Sequence, residues 1–255
     1  MTMYQQFSAM LAIFSALLCA NQAKADAPAF DRPGISFSAS VLPAGSFDWE
    51  QGLPDAQRDR SDGVLATTLS AGTTLRFGLN STFELQLSGS LWNRLDLHAA
   101  QMSSHDTGAG DTRVSLKWAP VLASKTITLA VLGGVTFNTG AAAFRNDQPV
   151  YSLGVTIARD LGEQRSLAAY ANVDHSGGAN TWTLSSNFGF PLAGNFAGYV
   201  EAGRIFGNGT SSSLAGGGVT WLLHDRVQLD LYARCGLTPS STDLQAGAGV
   251  SVFWP

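Results

Sequence analysis

The feature that most constrains the fold of this 255-residue chain is a regular alternation of apolar and polar side chains. The clearest run extends from Leu65 to Leu79, where Leu75 and Phe77 occupy one set of alternate positions and Arg76 the other. Because successive side chains of a β-strand point to opposite faces, each such run has one apolar face and one polar face. Strands of this kind can separate hydrocarbon from water, as they do in a transmembrane β-barrel with a polar lumen.

The composition and the lengths of the apolar runs exclude other membrane folds. No stretch after residue 25 contains the about 18 consecutive apolar residues that a spanning helix needs. Charged residues make up 13% of the chain, against about 25% in typical soluble domains. A soluble β-sandwich would share the alternation, but it would not explain apolar faces long enough to cross a membrane. We therefore predict an all-β fold, a transmembrane antiparallel up-and-down β-barrel formed by residues 45–255.

We predict about twelve strands, an even number, as bacterial barrels require. Short connections such as Leu79–Ser81 and His224–Asp225 alternate with longer polar ones such as Arg94–Gly110 and Thr139–Pro149. This indicates short periplasmic turns and longer extracellular loops, with both termini in the periplasm. Aromatic residues near the strand ends fit the girdles at the two membrane interfaces: Trp92, Trp118, Phe137, Tyr151, Trp182, Trp221 and Trp254. The predicted strands lie near residues 45–51, 64–78, 82–92, 111–119, 125–137, 149–159, 165–175, 180–190, 196–206, 212–222, 226–236 and 243–253.

The N-terminus indicates export. Residues 1–25 contain an apolar run from Phe7 to Ala20 and a small-x-small site, Ala23-Lys24-Ala25, which predict a cleaved signal peptide. We therefore expect the protein in the outer membrane of a Gram-negative bacterium, with outer-membrane lipid and the barrel assembly machinery as partners. Residues 26–44 precede the first strand, and the sequence leaves open whether they enter the lumen or lie in the periplasm.

Several short motifs lie between Arg32 and Lys117: Arg32-Pro33-Gly34, Leu42–Phe47, Glu50–Gly52, Ala71–Leu79 with Glu84-Leu85, and Gly108–Asp111 followed by Lys117. With these motifs the chain resembles the family of outer-membrane proteins labelled as the MetA pathway of phenol degradation. The resemblance implies a transporter-like β-barrel, and it extends weakly through the remaining strands without identifying a solute.

Charged and tyrosine side chains recur on the face that we assign to the lumen. Arg76 and Glu84 flank one predicted turn and face each other across a hairpin, whereas Arg113 and Lys117 share one face of a strand. These side chains either form a constriction that orients a small solute or pair with each other purely for stability. The candidate lumen-lining residues are Arg76, Glu84, Asp111, Arg113, Lys117, Tyr170, Asp174, Tyr199, Glu201, Asp230, Tyr232 and Arg234.

The sequence supports a passive channel for small, aromatic or hydrophobic, solutes. A closed structural or adhesive barrel that acts through its surface loops remains an alternative. A barrel lipid hydrolase is a third, but His175 and Ser176 are adjacent and would face opposite ways in a strand. We therefore predict no enzyme activity, no cofactor and no metal site. The net charge of −4 argues against nucleic acid as a partner, and the oligomeric state is not predicted.

Overall fold

The computed structural model describes residues 29–255 except Gln101. The predicted signal peptide, residues 1–25, lies outside these residues. Within the described residues the regular structure consists of fourteen antiparallel β-strands in one sheet. They are β1 (Phe47–Gly52), β2 (Asp55–Ser61), β3 (Val64–Gly78), β4 (Phe83–Ala99), β5 (Met102–Gly108), β6 (Thr112–Trp118), β7 (Ile127–Phe137), β8 (Val150–Gly162), β9 (Arg165–Ser176), β10 (Ala179–Pro191), β11 (Phe196–Gly207), β12 (Thr210–His224), β13 (Val227–Gly236) and β14 (Leu244–Trp254).

The sheet closes into a barrel with twelve strand positions. β1 and β2 follow each other along one position, because both pair with β3 on one side and with β14 on the other. In the same way β5 and β6 both pair with β4. Pairing of β1 and β2 with β14, the last strand, joins the two ends of the sheet. The prediction of a twelve-stranded, all-β antiparallel barrel is therefore confirmed.

The barrel has its apolar side chains outside and its charged side chains inside. Leu85 and Leu87 on β4 are 38% and 40% exposed, although no water-soluble protein would leave a whole belt of such residues uncovered. Glu84 on the same strand and Arg76 on β3 are fully buried. The alternation in the sequence therefore corresponds to a lipid-facing belt and a polar interior. No helix in the described part of the chain is long and apolar enough to span a membrane.

Aromatic side chains mark the barrel end at which β14 finishes. Trp254 stacks on Phe47 with ring centroids 5.2 Å apart, and Phe47 packs on Phe77 at 4.9 Å. Phe196 and Trp221 stack near the same end at 5.2 Å. Since β1 starts where β14 ends, the beginning and the end of the barrel lie at this end, which we take as periplasmic.

Two polar strands differ from the sequence-based expectation. The predicted loop Arg94–Gly110 is largely a hairpin, in which β4 continues to Ala99 and β5 returns from Met102. β2 was not predicted either. Both strands project above the lipid-facing belt, so they need no apolar face, and the alternation that reveals a membrane strand is absent from them.

Candidate functional site

Residues 29–46, which we call the lumen segment, run inside the barrel before β1 begins. The backbone N–H of Leu42 donates to Glu84 Oε2 on β4 at 2.8 Å. On the opposite wall the N–H of Ile35 donates to Glu201 Oε2 on β11 at 2.9 Å. The segment therefore crosses the lumen and contacts widely separated strands.

Arg76 on β3 organises the first charged cluster along the segment. Its Nε donates to Glu84 Oε1 at 2.8 Å and its Nη1 to Glu50 Oε1 at 3.0 Å. The same Nη1 lies 3.1 Å from Asp48 Oδ2 and donates to the carbonyl oxygen of Ala29 at 3.2 Å. All of the guanidinium is buried, so its charge is balanced by protein carboxylates rather than by water.

Lys117 on β6 links this cluster to the lumen segment through Asp31. Its Nζ lies 2.9 Å from Asp31 Oδ1 and 3.5 Å from Glu84 Oε1. Burial alone would raise the pKa of the Asp31 carboxyl, but the charges of Arg76 and Lys117 hold it well below its usual range. Asp31 is therefore an anionic contact between the segment and the barrel wall.

This low pKa gives the closed arrangement a predicted pH dependence. A carboxyl whose pKa is lower in the folded state stabilises it above the ordinary Asp value of 3.8, and this contribution is lost as pH falls through the folded value. We therefore expect Asp31→Asn to conduct more than the unmodified protein, by a difference that stays constant from neutral pH down to about pH 3.8 and shrinks only below it. A difference that already shrinks between pH 7 and 5 would contradict this role of Asp31.

Arg32 binds a second carboxylate pair at the seam between β2, β13 and β14. Its Nη1 and Nη2 lie 3.0 and 3.1 Å from the two oxygens of Asp55. Its Nη2 and Nε lie 3.1 and 3.3 Å from Asp230. Burial alone would lower the pKa of the Arg32 guanidinium, but these two carboxylates raise it. The guanidinium therefore remains charged and holds the segment to the wall.

The niche for Arg32 exists because β14 carries glycine at the contact. A methyl group at Gly249 would clash with Arg32 Nε and lie 2.6 Å from Asp230 Oδ2. We expect Gly249→Ala to displace Arg32 and to raise the closed-state conductance in planar bilayers. Gly72→Ala on β3 is the matched control, because a methyl group there meets no atom within 4 Å. Equal conductance of the two variants would show that the niche does not hold the segment.

Arg234 on β13 forms a third contact. Its Nε donates to Glu201 Oε1 at 2.7 Å and its Nη2 to the carbonyl oxygen of Pro33 at 2.5 Å. The guanidinium also lies over the ring of Tyr232, 4.2 Å from its centroid. Three charged contacts thus bind the same short stretch, residues 31–35, to different strands.

Arg113 and Asp174 lie apart from these clusters. Arg113 Nε donates to Ser115 Oγ at 2.9 Å and its Nη1 to Ser152 Oγ at 2.8 Å. The Ser152 hydroxyl in turn donates to Asp174 Oδ1 at 2.5 Å. Within residues 29–255 as described, neither side chain has an oppositely charged partner at ion-pair distance, unlike Arg32, Arg76, Lys117 and Arg234.

Two cavities lie on opposite sides of the lumen segment. One, of about 530 Å³, extends toward the periplasmic β8–β9 turn and is lined by Tyr199 and Gln164. The other, of about 550 Å³, extends toward the opposite mouth and is lined by Arg113, Tyr170 and Asp174. Residues 31–34, 36 and 37 line both cavities, so the segment lies between them.

The predicted site residues thus divide into groups. Arg76, Glu84 and Lys117 form one cluster, Asp230 belongs to a second, and Glu201, Tyr232 and Arg234 to a third. Arg113, Tyr170 and Asp174 line the outer cavity, and Tyr199 lines the inner one. Asp111 differs, because it precedes β6 and accepts bonds from the backbones of Gly140 and Asn146 at 2.9 and 2.8 Å. It organises the β7–β8 loop instead of lining the lumen.

Sequence reasoning missed the partners that the lumen segment and the first strands supply. Asp31 and Arg32 were not proposed as site residues, although Arg32 is part of the family-like motif. Asp48, Glu50 and Asp55 were missed because their strands are short and interrupted near Pro54. These acidic residues could have been found by asking which carboxylates lie on the polar face of the strand that pairs with Arg76.

The structure gives no support for a lipid hydrolase with His175 and Ser176 as its catalytic pair. His175 Nδ1 lies 2.8 Å from Asn180 Oδ1 across the β9–β10 hairpin, and Ser176 is its neighbour in the strand. Among the described residues no group of three or more His, Cys, Asp or Glu is arranged to hold a metal ion.

Comparisons with known proteins agree with this architecture. The family model described as "Putative MetA-pathway of phenol degradation" matches residues 30–253. No curated protein matches the chain in sequence. The crystal structure of the COG4313 outer membrane channel from Pseudomonas putida F1 is 12% identical, covers 87% of this chain and 99% of that chain, and has a TM-score of 0.67.

Other solved barrels are similar in fold alone. The KdgM porin is 11% identical over 81% of this chain and 98% of that chain, with a TM-score of 0.53. The β domain of the Bordetella autotransporter BrkA is 13% identical over 82% and 100%, with a TM-score of 0.54. Because one of these barrels is a porin and the other an autotransporter domain, the shared outer-membrane fold does not by itself decide the function.

Proposed function

We propose a function from the premise that this chain belongs to the MetA-pathway-of-phenol-degradation family: it is a narrow outer-membrane channel for small solutes, closed by its own residues 29–46. Its fold and family are those of Gram-negative outer-membrane proteins. Lipid covers the exposed apolar belt, and the barrel assembly machinery inserts the chain. The solutes that we propose are small and aromatic or hydrophobic.

The observation that carries this proposal is the pair of cavities on the two sides of residues 31–37. A barrel with a purely structural role needs no such space, since its interior can be filled by side chains. Here about 530 and 550 Å³ remain open toward the two mouths, and residues of the lumen segment line both cavities. A solute can therefore enter from either side, and its passage requires the segment to move.

The charged contacts of the segment suit a reversible closure. Arg32, Asp31 and the Pro33 carbonyl group bind the wall by polar contacts, which water can replace when the segment shifts. The segment also buries the apolar side chains of Phe37 and Leu42, whose exposure gives opening a hydrophobic cost. We infer that the closed state is stable but can open.

A closed structural or adhesive barrel is the second candidate. It is favoured by the complete burial of Arg76 and Lys117, which leaves no aqueous path through that side of the lumen. In this role the extracellular hairpin of β4 and β5 would be the interacting part.

Planar-bilayer recording of the refolded mature chain separates the two candidates. A channel gives discrete conductance steps, and phenol or small aromatic acids added in turn reduce them if they enter the lumen. A silent bilayer, from protein shown to be folded and inserted, would overturn the channel and favour the structural barrel.

A further inference from the structure

The outer cavity contains a lumen cation that the lumen segment does not use. Arg32 of the segment and Arg76, Lys117 and Arg234 of the wall each have a carboxylate within 4 Å. The three wall cations also contact the segment. Arg113 has only hydroxyl partners among the described residues. A cation that lacks a carboxylate and faces a cavity retains the capacity to bind an anion from solution.

The wall of the barrel positions the Arg113 guanidinium to bind an anion in the outer cavity. Ser115, Gly134, Ser152 and Asp174 lie opposite one another in one row across β6, β7, β8 and β9. Because Gly134 has no side chain, the guanidinium of Arg113 on β6 reaches Ser152 on β8, two strands away. A methyl group at Gly134 would lie 2.9 Å from Ser115 Cβ and clash with Ser115 Oγ, which is a partner of Arg113.

Apolar groups line the same cavity as the guanidinium. Leu132, Phe37 and the ring of Tyr170 line it, and Phe37 packs edge-on against Tyr170 with centroids 5.5 Å apart. Leu132 and Phe37 are buried members of one cluster. A ligand for this cavity therefore needs an anionic group at one end and a small apolar body at the other.

Asp174 limits the ligand further. It lines the outer cavity and also the vestibule beyond it, and the Ser152 hydroxyl donates to it. Its negative charge at the mouth repels a ligand with two negative charges, such as the phosphate dianion, more strongly than it repels a monoanion. A single carboxylate has the charge that Arg113 can balance.

We propose that Arg113 forms the anion subsite of a binding site for small monocarboxylates with a flat apolar body, of which benzoate is the simplest probe. The site lies between the lumen segment and the extracellular mouth. The inference names a solute class for the proposed channel and so rests on the proposed function, but binding is measurable without transport.

Calorimetric titration of the refolded protein in detergent tests the site. We expect benzoate to bind more tightly than phenol, acetate, benzylamine or inorganic phosphate, because only benzoate combines a single negative charge with an apolar ring. Arg113→Gln should weaken benzoate binding about tenfold or more, in line with the loss of a charged hydrogen bond. Arg113→Lys should retain part of it.

Arg204→Gln is the control, because Arg204 is an exposed cation on the outer wall of β11 and lies outside the cavity. Equal benzoate affinity of the Arg113→Gln variant and the control would overturn the site, as would tighter binding of benzylamine or phosphate. Single-channel conductance of the same protein is measured independently of benzoate binding. Conductance without benzoate binding would refute the subsite alone, and binding in a silent barrel would refute the channel alone.

Discussion

A variant that lacks residues 29–44 is expected to pass several-fold more current per channel than the complete mature chain. The lumen segment separates two cavities of about 530 and 550 Å³, so its removal joins them into one aqueous path. Water would then reach the charged side chains that the segment now covers and would solvate their charges. These side chains are Arg76, Lys117, Glu201 and the two partners of Arg32, Asp55 and Asp230. Single-channel recording in planar bilayers measures the change.

Folding of the deletion variant must be shown independently. The strands pair through their backbones, and the segment contributes no strand to the sheet, so the barrel should still form. Resistance of the folded band to unfolding on unheated gels provides the check. A folded deletion variant with the same small conductance as the complete chain would mean that something other than the segment limits the path.

The second large effect concerns stability. Replacing Arg76 by Met should lower the free energy of unfolding by about 3–5 kcal/mol, the usual cost of removing one partner from a buried ion pair. The variant leaves Glu84, Asp48 and Glu50 close together without the cation that separates them, and all three are at most 1% exposed. Urea unfolding in lipid vesicles, followed by tryptophan fluorescence, measures the loss.

Arg94→Met is the matched control for this measurement. Arg94 also pairs with a carboxylate, at 2.8 Å from Asp96 Oδ2, but its side chain is 45% exposed on the extracellular hairpin. Exposed pairs contribute about 0–1 kcal/mol, so this variant should be close to the unmodified protein. If Arg76→Met cost no more than Arg94→Met, the cluster around Arg76 would not stabilise the barrel.

The membrane strands were predictable because lipid imposes a strict pattern on them. Between Ala71 and Leu79, below the part of β3 that pairs with β2, every second side chain must be compatible with hydrocarbon, and the structure places Phe77 outside and Arg76 inside. β2 and β5 lie beyond this constraint, and their polar sequences therefore resemble loops. A residue's contact with lipid, more than its strand propensity, made the prediction possible.

The arrangement inside the lumen was less predictable. Alternation assigns Arg76, Glu84 and Lys117 to the inner face, but it does not specify which of them meet. Their contacts depend on Asp31 and Arg32, which belong to a segment without regular structure. The position of such a segment depends on pairs of charged residues that lie far apart in the sequence. Arg32 and Asp230 are separated by more than 190 residues, and no local sequence pattern encodes their contact.

We propose that the lumen segment closes the channel and must move for solutes to pass. The most direct test joins the segment to the wall by a disulfide in the double variant Ser36→Cys, Asn187→Cys. In the unmodified protein Asn187 Nδ2 lies 3.3 Å from Ser36 Oγ. The exposed Cys235 is replaced by Ser to leave one cysteine pair. We predict that the oxidised channel stays closed in a planar bilayer and that a reductant restores opening of the same channel. Equal conductance before and after reduction, with the disulfide shown to be present, would contradict the claim.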